Sequence, residues 1–430
     1  MILPATAITI LMLILLAVGM PVGFTLAIAG GVGLYWVAGW EPLLGVLSTA
    51  PLSTTESYEL ITVPMFLLMA EFVIISGVAN SLFSAAAVWI GRVRGGLAVA
   101  TAVAGAGFGA ISGSSTASAA TLSATTIPEM VKQGYEPKMA CGVVAISGTL
   151  AMLIPPSIAL ILYGIIAEVS IGKLLIAGLI PGILVMFTII LTIYALMLLD
   201  PSSTPAGRSY SWKEKLASLS VAGPMVLLFM CVTGVIYTGI ATPTEASGIG
   251  AMGAFLLAVR AGKMNLANLR HAAINAAGTT CMVFMIIIGA KIFGFFLTLT
   301  QTTQQLVSFV GSLNMEPWAV LMCVLLVFLA LGFIMDQIAI LLLMVPIALP
   351  VVLSLGYDPI WFGVMVVLVA EIGMLTPPVG LNVYVVARFS GYPLGYIFRG
   401  VWPHVFAHLI LIGILFWLPQ IILWLPDRMQ

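Results

Sequence analysis

A spacing of 222 residues governs this sequence. Ile127-Pro128 returns as Leu349-Pro350, Gly134-Tyr135-Glu136-Pro137 as Gly356-Tyr357-Asp358-Pro359, and Ile154-Pro155-Pro156 as Thr376-Pro377-Pro378. The same offset carries Gly178 and Pro181 to Gly400 and Pro403, and Pro21 to Pro243. Unrelated segments do not keep their turn residues in step over so much chain, so the register marks two copies of one unit. The halves are 1–204 and 219–430, joined by a polar linker at 205–218.

The repeated unit is built for lipid. Only 7% of the 430 residues are charged and 62% are apolar, against about 25% charged in a soluble domain. So little charge cannot cover a water-facing surface, which excludes soluble enzymes, nucleic-acid binders and disordered tails. Fifteen basic residues balance fifteen acidic ones, so no net field calls for a polyanionic partner such as a nucleic acid. The lipid bilayer is the partner, and the expected fold class is an all-α polytopic membrane protein whose apolar runs fit spans of ~20 residues. Cys141, Cys231, Cys281 and Cys323 stand singly in apolar runs and read as small apolar side chains, not as disulfides or metal ligands. No P-loop and no convergent His, Asp or Cys set is present, so the chain is not expected to be an enzyme. The apolar first segment has no basic residue before it and is expected to be an uncleaved first span.

Charge sets the orientation, because Lys and Arg collect on the cytoplasmic side. The gap at 41–59 holds Glu41, Glu56 and Glu59, whereas its counterpart at 260–271 holds Arg260, Lys263 and Arg270. The gap at 91–95 holds Arg92 and Arg94, and its counterpart at 298–316 holds Glu316 alone. Matching gaps carry opposite signatures, so the two repeats should be inverted in the membrane. The centre, with Arg208, Lys213 and Lys215, then falls inside and both termini outside.

Each half follows one plan. Apolar segments at 3–19, 22–39 and 61–90 come first. The stretch 97–131 begins beside Arg94 and ends beside Lys132, so it enters and leaves on one side as a re-entrant hairpin with its tip at 109–118. Its counterpart, 317–357, has its tip at 332–338. A span interrupted by Pro-Pro follows each hairpin, then a last span. The total is about ten crossings and two hairpins. Spans 1–95 and 219–316 form one class of element. The hairpin and broken-helix parts, 97–199 and 317–425, form the other.

Polar chemistry gathers at the tips and breaks. Ser112, Gly113, Ser114, Ser115, Thr116 and Ser118 crowd the first tip. Unwound backbone at membrane depth must be buried or line a wet cavity, since each unsatisfied polar group there costs several kcal/mol. Its freed carbonyls, with the hydroxyls, are hard oxygen donors that suit Na⁺, while helix N-termini favour anionic groups. The doublets Pro155-Pro156 and Pro377-Pro378 should break their helices, because proline removes a donor and clashes with the preceding turn. Asp336 stands in the second tip, and Glu371 on the way into the second break, either protonated or paired with a base such as Arg388. Lys291 and Glu71 read as structural pairs or partner contacts. His404 and His408 share a helix face but lack a third ligand, and are expected at an interfacial helix end.

The expected assignment is two Na⁺ sites related by the repeat. One uses Ser112, Gly113, Ser114 and Ser115 with the span broken at Pro155 and Pro156. The other uses Gly332, Met335 and Asp336 with Thr376 and Gly380, beside Pro377 and Pro378. A substrate carboxylate is expected between the tips, met by Ser115, Thr116, Ser118 and Asn382.

The first tip, with Gly134-Tyr135-Glu136-Pro137, Ile154-Pro155-Pro156-Ser157, Ser170-Ile171-Gly172-Lys173, Ala241-Thr242-Pro243-Thr244-Glu245-Ala246 and the run from Thr376 to Asn382, resembles the large membrane subunit of tripartite ATP-independent periplasmic (TRAP) transporters, DctM-like, over essentially the whole chain. The resemblance implies an elevator-type permease in the bacterial inner membrane, in which spans 1–95 and 219–316 supply the scaffold and 97–199 and 317–425 most of the mobile domain. It would take up organic acids such as C4-dicarboxylates by sodium symport, with Na⁺ as coupling ion. It also implies a small four-helix membrane subunit as a separate chain and a periplasmic substrate-binding protein. Many members carry Asp where this chain has Ser118 and Asn where it has Glu371. The alternative is a stand-alone Na⁺/dicarboxylate symporter of similar inverted-hairpin design.

Overall fold

The computed structural model describes residues 2–201, 204, 205, 207, 209–312 and 315–429, so Arg208 lies outside the described residues. All regular structure among them is helical. The first half runs α1 (Ile2–Ala17), α2 (Val22–Ala38), α3 (Trp40–Thr55), α4 (Thr62–Ser76), α5 (Val78–Ile90), α6 (Gly96–Ser112), α7 (Ser115–Lys132), α8 (Pro137–Gly148), α9 (Ile158–Ala167) and α10 (Ile171–Leu199). The second runs α11 (Trp212–Tyr237), α12 (Pro243–Arg260), α13 (Leu266–Leu299), α14 (Thr302–Ser312), α15 (Pro317–Gly332), α16 (Gln337–Ser354), α17 (Pro359–Gly373), α18 (Leu381–Ser390), α19 (Leu394–Trp417) and the short α20 (Gln420–Leu423). With the 222-residue offset, α7 falls on α16, α8 on α17, α9 on α18 and α10 on α19.

The repeat is visible in the packing as well as in the order. Helix α2 lies along α13, and its counterpart α12 lies along α4. These crossings are close because glycine permits them: a Cβ on Gly30 would stand 2.7 Å from the Phe293 Cα, and one on Gly23 2.9 Å from the Met285 carbonyl carbon. The hairpin arms obey the same exchange. Helix α7 packs on α8 of its own half and α18 of the other, while α16 packs on α17 and α9. The last helices, α10 and α19, pack on each other and on the broken helices.

The hairpins and breaks fall where the sequence placed them. In the first hairpin, α6 ends at Ser112 and α7 begins at Ser115. In the second, α15 ends at Gly332 and α16 begins at Gln337. Helix α8 tightens into a 3-10 turn at Thr149–Met152 before Pro155, and α17 stops at Gly373 before Pro377. The Gly-Tyr-acid-Pro turns require a left-handed glycine, Gly134 at φ 92 and Gly356 at φ 83. Each then starts a helix with proline at its first position, where no N–H is needed. Tyr135 also ties its turn to the start of the hairpin, since the Leu97 N–H donates to the Tyr135 hydroxyl at 3.1 Å.

Three boundaries differ from the sequence reading. The gap at 41–59 holds helix α3, which buries Leu43, Ala50 and Thr54 against α2 and α13. Proline and a Ser/Thr-rich composition hide it, although packing outweighs weak propensity. The linker 205–218 is already helical from Trp212, where Ser211 and Glu214 form a capping box. His404 and His408 are not at an interfacial end: both are buried in the body of α19, and the His408 Nδ1 lies 2.8 Å from the His404 carbonyl oxygen.

Among the described residues, five helices are individually long and apolar enough to cross a bilayer: Tyr58–Ser76, Ile171–Leu199, Leu266–Leu299, Gln337–Ser354 and Leu394–Trp417. The bent pair Trp212–Ser220 and Ala222–Tyr237 makes a sixth when taken as one span. The chain is a multi-pass membrane protein of two inverted repeats, each with a re-entrant hairpin and a broken helix.

Candidate cation and substrate site

Four helices begin at the tips and breaks, and each start has its own chemistry. The Ser114 hydroxyl caps α7 by accepting from the Ala117 N–H at 3.4 Å. Its repeat counterpart Asp336 caps α16, with the Ala339 N–H donating to Oδ1 at 2.9 Å. The Ser157 hydroxyl caps α9 by accepting from the Leu160 N–H at 3.2 Å, and donates to the Met152 carbonyl across the first break. Gly380 opens α18 in the left-handed conformation, φ 60 and ψ 67. The four helix N-termini bring the positive ends of their dipoles to the tips and breaks.

The first tip is closed over its break. A Cβ on Gly113 would stand 2.9 Å from Ile158 Cγ1 and 3.3 Å from the Pro156 carbonyl oxygen, so tip and break are in direct contact. Ser112 and Ser118 hydroxyls lie 2.7 Å apart, and those of Ser114 and Thr116 3.2 Å apart. This joins the two assignments, which already shared Ser115, at a second point: Ser112, expected on a cation, is the hydrogen-bond partner of Ser118, expected on the substrate. Ser115 is fully buried, and its backbone carbonyl lies 2.9 Å from where a Gly148 Cβ would be.

The second tip rests on the end of α17. A Cβ on Gly332 would lie 2.7 Å from the Ala370 carbonyl oxygen and 2.8 Å from the Gly373 Cα. The Thr376 hydroxyl donates to the Gly373 carbonyl at 2.9 Å, leaving its lone pairs as acceptors. The Asn382 N–H reaches back to the Met374 carbonyl at 3.2 Å and bridges the break. Asp336 uses one oxygen as a cap, and Met335 is half-buried at the bend. The two breaks differ in exposure: Pro155, Pro156 and Ser157 are buried, whereas Pro377, Pro378 and Val379 are open at the surface.

Buried polar atoms without a hydrogen bond here include the Ser115 hydroxyl, the Gln337 amide oxygen, both Glu371 carboxyl oxygens and both amide atoms of Asn382. The Ser115 hydroxyl faces the Glu371 carboxyl, at a geometry short of a hydrogen bond. Of the two alternatives for Glu371, pairing with a base such as Arg388 is not found among the described residues, where the ion pair joins Lys138 and Glu136 at 3.2 Å. Glu71 accepts from the Asn275 amide at 3.3 Å and the Lys291 amine lies 3.5 Å from the Ser53 carbonyl, so both make structural contacts between helices.

Sequence reasoning passed over Ser157 and Gln337. Ser157 follows Pro-Pro and precedes an apolar run, which is an N-cap signal. Gln337 is the repeat counterpart of Ser115; it is buried, and its amide donates to the Val367 carbonyl at 3.2 Å.

Two tips are seated on two broken helices, and four helix starts, three of them capped by a side chain, lie at the tips and breaks of an otherwise apolar chain. Residues 9–421 match the family described as tripartite ATP-independent periplasmic transporter, DctM component. The chain belongs to this family. TRAP large permeases are transporter components and not enzymes. The chain is similar to the C4-dicarboxylate TRAP transporter large permease protein DctM of Pseudomonas aeruginosa, 38% identical over 375 residues and covering 87% of each chain. It is 32% identical over 416 residues to the ectoine TRAP transporter large permease protein TeaC of Halomonas elongata, covering 96% of each. It is 31% identical over 425 residues to the sialic acid TRAP transporter large permease protein SiaM of Vibrio cholerae, again covering 96% of each. The fold is similar to the YdaH transporter of Alcanivorax borkumensis, with a TM-score of 0.66 at 14% identity over 89% of this chain and 90% of that one.

Proposed function

We propose that this TRAP large permease takes up an organic acid, a carboxylate of the C4-dicarboxylate type or a related one, by sodium symport across the bacterial inner membrane. It does so with a small four-helix membrane subunit and a periplasmic binding protein that delivers the substrate. The observation that supports the reading is the pairing of each hairpin tip with a broken helix. Carbonyls, hydroxyls and capped helix starts there supply oxygen ligands for Na⁺ and donors for a carboxylate, with no Lys or Arg in either tip. The substrate charge is therefore met by helix dipoles and bound sodium, which makes each ligand tighten the other by one factor.

The hairpins and broken helices move as the transporting body, and α2, α4, α12 and α13 with the small subunit stay as scaffold, in an elevator movement. The driving force is sufficient: a tenfold Na⁺ gradient gives ~1.4 kcal/mol per ion, and each net charge moved through 100 mV adds ~2.3 kcal/mol. The test is uptake of labelled C4-dicarboxylate into liposomes holding both membrane subunits, with binding protein outside. A sodium gradient should drive accumulation; uptake equal in sodium and choline buffers refutes the reading.

A further inference from the structure

Glu371 is the one acidic side chain among the described residues that lies wholly within the core, and the reading above gives it no task. It sits near the end of α17, between two contacts that belong to different repeats. Its neighbours Ala370 and Gly373 support the second tip at Gly332, while its own carboxyl faces the Ser115 hydroxyl at the first tip. Asn382 is held one helical turn beyond Glu371 by its bond to the Met374 carbonyl, and α18, which carries it, packs on α7, which begins at Ser115. Glu371, Ser115 and Asn382 all keep buried polar atoms without a protein hydrogen bond. A carboxylate in such a place is very costly unless a proton or a cation joins it, and no salt bridge to Glu371 exists among the described residues.

We propose that Glu371 and the Ser115 hydroxyl form a binding centre for a monovalent cation at the junction of the two repeats, with the Asn382 carbonyl oxygen as the third donor. The centre shares Ser115 with the first tip and adds to it the carboxylate of Glu371, on the helix that supports the second tip. Its ligand chemistry is a hard cation accepting oxygen donors, met either by a sodium ion or by an ammonium group on the substrate. A permease with an ammonium-binding carboxylate selects amino-bearing organic acids; one with a third sodium ligand set couples an additional charge to uptake. The inference rests on the transport reading for its role, though not for its existence.

The test uses the complex of both membrane subunits in lipid nanodiscs, in choline chloride, with two probes titrated separately and each counted per complex: radioactive sodium chloride and radiolabelled methylammonium chloride. Glu371→Gln keeps the shape and removes the charge. The expected result is a half-saturating concentration raised by about tenfold or more for one of the two probes, with a smaller rise for Ser115→Ala and partial recovery in Glu371→Asp. Movement of the sodium titration identifies a metal site, and movement of methylammonium alone identifies the substrate's ammonium. Glu371→Gln with both titrations unmoved overturns the centre, as does an effect confined to the pH profile. Should Glu371→Gln fail to assemble, Ser115→Ala with both titrations unmoved overturns it equally. Wild-type complex that ignores sodium refutes sodium coupling instead, and the methylammonium arm then decides the centre.

Discussion

Asp336 caps α16 and, in the proposed reading, also holds a cation; two substitutions divide these tasks. Its Oδ1 accepts from the Ala339 N–H at 2.9 Å as the N-cap of α16, and its charge is available to a cation at the second tip. Asparagine caps about as well as aspartate, whereas alanine loses about 1 kcal/mol. In sodium-free choline buffer, Asp336→Asn should therefore melt like the parent, and Asp336→Ala about 1–2 °C lower for a chain of this size. Sodium then adds the second term. At a concentration of 100 times its dissociation constant, a bound ion stabilises by ~2.7 kcal/mol, and a tenfold weaker site by only ~1.4 kcal/mol. Both variants should lose that difference of about 1.3 kcal/mol, so their sodium titrations should be displaced alike although their sodium-free stabilities differ. Thermal unfolding of the purified complex across a sodium series reads both terms. If Asp336→Asn follows the parent at every sodium concentration, Asp336 is a cap alone and the second cation site is wrong.

Other outcomes follow from the same geometry. Single cysteines at Ser48, Gln305, Tyr210 and Asn265, in a background lacking the four natural ones, should label from outside at the first two and from inside at the last two. Labelling of 48 and 265 from one side would refute the inverted topology. Ser118→Asp places a carboxylate beside the Ser112 hydroxyl, now 2.7 Å from the Ser118 hydroxyl, and should raise the substrate concentration for half-maximal uptake by about tenfold through like-charge repulsion; unaltered affinity would count against a substrate carboxylate there. Gly30→Ala drives a Cβ to 2.7 Å from the Phe293 backbone and should destabilise by about 1–3 kcal/mol, seen as a lower melting temperature with the sodium response of the remaining folded protein unchanged.

The legible parts of this chain were those fixed by backbone chemistry. Glycine and proline at matched positions mark turns and breaks whatever packs around them, so α7 and α16, α8 and α17 could be aligned before any contact was known. Charge then located the first hairpin, because a segment with basic residues at both ends returns to its own side, and the repeat offset placed the second. What stayed hidden depended on tertiary partners. Helix α3 is helical because its buried residues lie against α2 and α13, information absent from a segment with Pro42 and Pro51. Likewise the burial of His404 and His408 comes from neighbours such as α8 and α10. Glu371 was visible as an intramembrane charge, yet its position between the hairpins required two contacts with sequence separations that no local pattern encodes.

The exchange of hairpin arms between repeats also bears on how the chain is made. Synthesis delivers α7 and α9 to the bilayer long before α18 and α16, the helices that each must pack against. Until then the first half holds an unpaired hydroxyl-lined hairpin and a ten-residue α9, too short to cross lipid unaided. It also presents the glycine face of α2, which has no partner before α13 arrives. The nascent protein therefore passes through a stage in which half of it resides in the membrane with its polar surfaces unshielded. Insertion factors or the small subunit can act at that stage, and the ligand site comes into being only when the final third of the polypeptide has left the ribosome.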